Sequence, residues 1–166
     1  GRFGAYPLDV QWIGVLAPLI VVGQQVYSVC RFKRTEFAWA AAVVFAVAFG
    51  QTLTLLRVRP EFDAAAWVGL AFVYMLIERV IPAVNSARFD EAIKKFRWPL
   101  RTGAAALCAL GLWLTGVVML TAFAGLPITN YFPLILAQAA AVAFAALAAW
   151  LYRNRWPAYL VHEISR

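Results

Sequence analysis

Apolar residues fill five stretches, at 10–29, 37–56, 64–84, 102–123 and 131–151, and the breaks between them are short and charged or marked by Pro and Gly. At about 1.5 Å of rise per residue, about 20 such residues match the hydrocarbon core of a bilayer, about 30 Å thick. The pattern predicts an all-α polytopic membrane helical bundle of about five transmembrane helices, with residues 1–166 forming a single transmembrane domain. Arg31-Phe32-Lys33-Arg34, Arg57-Val58-Arg59-Pro60 and the Gly125–Asn130 turn punctuate the spans.

Residues 88–100 follow a different pattern. Phe89, Ala92, Ile93 and Phe96 recur at helical spacing, while Arg88, Asp90, Glu91, Lys94, Lys95 and Arg97 take the opposite side. That arrangement predicts a short amphipathic helix lying in the headgroup layer and ending at Trp98-Pro99.

Composition agrees with a membrane solvent: 64% of residues are hydrophobic and 14% charged, against about 25% charged in soluble domains. Charge then predicts orientation. Arg31, Lys33, Arg34, Arg88, Lys94, Lys95, Arg97, Arg101, Arg153, Arg155 and Arg166 collect on one side, whereas Arg2, Arg57 and Arg59 on the other are offset by Asp9, Glu61 and Asp63. The positive-inside rule puts the basic side in the cytoplasm, with the N-terminus outside and the C-terminus inside. The formal charge of +7 is thus an orientation signal and predicts no nucleic-acid partner. The expected partners are the lipid bilayer, anionic headgroups at the cytoplasmic face, and a protein partner or second copy of the chain. The expected location is a bacterial inner membrane.

Charged side chains inside a span cost about 2.5–3.5 kcal/mol each at a helix centre, so they point to function. Glu78 and Arg79 in the third span are the pair that qualifies. Pro82 lacks the N–H that would bond the Glu78 carbonyl, so a kink is expected beside the acid. Gln24 and Gln25 in the first span fall at similar depth and would join Glu78 and Arg79 in one polar site if the two helices are neighbours. Arg57 and Arg59 on one side, and Lys94, Lys95 and Arg97 on the other, are candidate headgroup or partner contacts. The nine alanines between Ala137 and Ala149, and Gly111 with Thr115, predict close helix approach involving the last two spans.

No catalytic motif stands out. His162 is the sole histidine and lies in the tail, which argues against a bis-histidine haem or a histidine-rich metal site. No cofactor, metal or catalytic residue is predicted. The leading expectation is a non-catalytic subunit of an inner-membrane complex, working through helix–helix and cytoplasmic-face contacts. The alternative is a small oligomeric transporter or channel that uses Glu78. A lipid-modifying enzyme, resting on Asp9, Asp63 and the Arg57/Arg59 pair, comes third.

Overall fold

A computed structural model describes residues 8–84, 90–124 and 131–152. Among them the chain forms five helices and no strand: α1 (Leu8–Phe32), α2 (Thr35–Leu55), α3 (Pro60–Val84), α4 (Asp90–Phe123) and α5 (Phe132–Tyr152). Four of these, α1, α2, α4 and α5, are long and apolar enough to cross a membrane. The 25 residues of α3 include Glu61, Asp63, Glu78 and Arg79, and it is the helix most enclosed by the others.

Two tight connections reverse the chain through left-handed residues. Lys33 ends α1 at φ 54°, its N–H donating to the Val29 carbonyl at 2.8 Å, and Arg34 is already extended. Arg57 ends α2 at φ 51°. Its N–H donates to the Thr54 carbonyl and that of Val58 to the Leu53 carbonyl, both at 3.1 Å. This is a Schellman arrangement, which satisfies carbonyls that the helix end would otherwise orphan.

The core is built around α3. Val68, Ala71, Tyr74 and Met75 pack with Leu100, Ala104, Leu107 and Cys108 of α4 and with Ala141 and Phe144 of α5. Gly111 allows the close approach: a Cβ there would stand 2.6 Å from Val68 Cγ2 and 2.9 Å from the Ala64 carbonyl oxygen. Phe72 meets Phe144 edge-on at 5.4 Å, joining α3 to α5. Between α2 and α3 the backbones stay further apart, and aromatic rings span the gap. Phe49 lies edge-on to Trp67 at 5.5 Å, and the Tyr74 hydroxyl donates to the Ala42 carbonyl at 2.5 Å. The first helix packs on α2 and, more lightly, on α4.

Two expectations about packing change. The amphipathic segment is continuous with the fourth span, forming one 34-residue helix from Asp90 to Phe123. Pro99 lies inside that helix and removes one N–H; the Thr102 hydroxyl bonds the nearby Trp98 and Pro99 carbonyls at 2.9 and 3.3 Å. Ala92 and Phe96 of this segment pack on Val29, Phe37 and Ala38 of α1 and α2. The small-residue contact also shifts: Gly111 faces α3, and on α5 Ala137 and Ala141 are buried while Ala139, Ala143, Ala145, Ala146 and Ala149 are exposed. The side chain of Pro82, residues 85–89, the 125–130 turn and the tail with His162 lie outside the described residues.

Candidate functional site

Glu78 lies on the inward stripe of α3, about two turns before its end. Its side chain is 1% exposed, and four side chains from three helices converge on it. Arg101 of α4 donates Nε and Nη2 to Oε1 at 3.0 and 2.8 Å. The Tyr152 hydroxyl, at the end of α5, donates to Oε2 at 2.8 Å. Arg97 Nε lies 3.5 Å from Oε1, and Arg79 Nε lies 3.5 Å from Oε2.

The antiparallel arrangement explains the convergence. The last turns of α3 lie beside the first turns of α4, where Arg97 and Arg101 are one turn apart on one face. The final turn of α5 closes the third side. There Arg79 Nη2 donates to the Leu151 carbonyl at 3.2 Å. The Tyr152 ring carries two guanidiniums within cation–π range, with Arg101 Cζ at 4.5 Å and Arg79 Cζ at 5.0 Å from its centroid.

Among the described residues, three guanidiniums thus surround one carboxylate. Exposure is graded across them: 15% for Arg101, 28% for Arg79 and 38% for Arg97. The carboxylate forms the closed inner end, and the arginines lead out towards the surface. Beside it, a cavity of about 90 Å³ is lined by residues including Glu78, Phe96, Arg97 and Leu100. Ligand sites usually occupy about 300–1,000 Å³, so this space is too small for one. Both carboxylate oxygens already accept hydrogen bonds.

The polar site expected from depth therefore divides. Glu78 and Arg79 are in the cluster, whereas the described hydrogen bonds and ion pairs do not bring Gln24 or Gln25 to Glu78. Gln24 faces outward from α1, and its carbonyl accepts the Ser28 hydroxyl at 2.9 Å. Gln25 turns inward, with a buried Oε1 that has no hydrogen-bond partner among the described residues. The physical reason is adjacency: α1 packs chiefly on α2. Arg97, expected among the headgroup contacts, faces Glu78. Arg57 and Arg59 are exposed in the connection between α2 and α3. Lys94 is exposed and pairs with Asp90 at 2.6 Å, and Lys95 is half-buried.

Arg101 and Tyr152 are the members that reasoning from depth did not find. The available signal was the spacing of Arg97 and Arg101 at i,i+4, opposite an acid at the matching end of an antiparallel helix. Among the described residues no group of three or more His, Cys, Asp or Glu could hold a metal ion. Comparison with protein-family models, with curated proteins and with solved structures gives no match.

Proposed function

We propose that this chain is a non-catalytic, multipass subunit of a bacterial inner-membrane complex, with its basic end in the cytoplasm. It works through helix–helix contacts and through that cytoplasmic face. The observation that carries the reading is the outward surface of α1. Among its described residues only Val15 and Val29 are buried apolar side chains, while Trp12, Ile13, Leu16, Ile20 and Tyr27 are exposed. Gln24 sits on the same outward surface, and Gly14 and Gly23 have no neighbour within 4 Å of a Cβ position. Lipid tails cannot satisfy an amide, but a neighbouring helix can, and small residues let its backbone approach. Gln51 of α2 and Gln138 of α5 are exposed in the same way.

The alternative, a small oligomeric transporter or channel using Glu78, has less support. A carboxylate with 1% of its side chain exposed and both oxygens engaged offers no free ligand to a moving cation.

A photoreactive residue at Gln24 tests the proposal in native membranes. The expected result is a discrete crosslinked species. Recovery of uncrosslinked chain alone, with a lone monomer in mild detergent, would overturn it.

A further inference from the structure

A second polar feature lies at the same end of the bundle as Glu78, on the outside of the helices. A cleft of about 620 Å³ separates the turn between α1 and α2 from the first three turns of α4, lined by Lys33, Thr35, Glu91, Lys94, Lys95 and Trp98. The volume falls within the ordinary range for ligand sites. The two walls are held in place from beneath, where Ala92 and Phe96 pack on Val29, Phe37 and Ala38. The cleft is therefore part of the fold, with a floor made by three helices.

Its charge is unbalanced. Lys33 pairs with Glu91, and Lys94 pairs with Asp90 at 2.6 Å. Lys95 is half-buried and has no ion pair among the described residues. The two existing pairs are exposed to solvent, which screens them and leaves both lysines free to turn to another anion. The border is apolar and aromatic: Phe32, just before Lys33, and Trp98 are both largely exposed. Basic side chains beside an exposed indole, where helices emerge from their apolar stretches, match the depth of lipid headgroups.

We propose that this cleft binds a phosphate-bearing anion, presented by the headgroup of an anionic membrane lipid. Lys95 is the principal contact, with Lys33 and Lys94 closing on the phosphate and Trp98 lying along the glycerol region. The inference rests on the membrane placement argued above and needs no protein partner, so it stands or falls separately from crosslinking at Gln24.

Native mass spectrometry of the full chain in mild detergent tests it, with phosphatidylglycerol and phosphatidylcholine of identical acyl chains as probes. The expected result is retention of one phosphatidylglycerol with a clear preference over phosphatidylcholine. Lysines near a membrane surface contribute about 1 kcal/mol each, so Lys95→Gln should weaken retention about fivefold. The K33Q/K94Q/K95Q variant should lose the preference, and Lys95→Arg should keep it. Equal retention of the two lipids, or a preference that survives the triple lysine variant, overturns the proposal. Inorganic phosphate at matched ionic strength separates the two sources of the anion. Competition with the bound lipid supports a phosphate site filled by a headgroup. Stabilisation by phosphate without any preference between the lipids identifies a site for free phosphate and contradicts the lipid assignment.

Discussion

Arg101 holds Glu78 through two nitrogens on one oxygen, Nε at 3.0 Å and Nη2 at 2.8 Å from Oε1, across the interface of α3 and α4. A lysine is a point donor and cannot reproduce this fork. Arg101→Lys is expected to keep the charge yet lower the thermal midpoint of the detergent-solubilised protein. A midpoint equal to wild type would show that charge alone, and not geometry, matters there.

Tyr152 ties α5 to the same carboxylate. Hydrogen bonds to charged groups contribute about 1.5–3 kcal/mol, and Tyr152→Phe removes one while keeping the ring that both guanidiniums approach. The variant should lose about that much unfolding free energy and unfold at lower denaturant, with α5 the first helix to lose amide protection in hydrogen exchange. Uniform loss of protection over all five helices would argue against a role specific to α5.

The packing of α3 on α4 rests on Gly111, where a Cβ would meet Val68 Cγ2 at 2.6 Å and the Ala64 carbonyl oxygen at 2.9 Å. Backbone cannot yield as a flexible side chain can. Gly111→Ala should therefore destabilise by about 1–3 kcal/mol, despite the better helix propensity of Ala. Gly116→Ala on the same helix meets nothing within 4 Å and should be neutral or slightly stabilising. Equal effects at the two positions, measured by thermal unfolding, would contradict the close approach.

Arg57 occupies a left-handed position, φ 51°, that glycine adopts without steric cost. Since Arg57 is exposed, Arg57→Gly should stabilise the protein by about 1 kcal/mol through relief of that strain. A loss of stability would mean that the arginine side chain makes a contact that outweighs its backbone.

The sequence carries the helices more fully than it carries the site. Apolar length alone locates α1, α2 and α5, because hydrocarbon thickness leaves little choice of where a span begins and ends. Glu78 was legible as a candidate because an acid among apolar residues is costly. Its partners were less so. Depth assigns Gln24 and Gln25 to the layer of Glu78, but depth is blind to which helices touch, and α3 lies against α4 and α5 while α1 lies against α2. Arg97 and Arg101 also looked like ordinary members of a basic cytoplasmic set, and only the crossing of α3 by α4 separates them from Lys94 and Lys95. Similarly, Pro99 suggested a helix boundary. A helix tolerates the loss of one N–H where packing holds the turn, and Pro99 is buried here.

The buried Glu78 carboxylate fastens α3, α4 and α5 together. A double-mutant cycle on Glu78→Gln and Arg101→Gln, read by equilibrium unfolding in detergent, tests it most directly. Removing one partner of a buried ion pair typically costs about 3–5 kcal/mol, because the other is left uncompensated. Glu78→Gln, which leaves three guanidiniums without their carboxylate, should therefore be strongly destabilising, Arg101→Gln less so because Arg79 and Arg97 stay beside Glu78, and the double variant should lose clearly less than the sum of the two, a coupling of about 1 kcal/mol or more. Losses that add to within about 0.5 kcal/mol would contradict the claim.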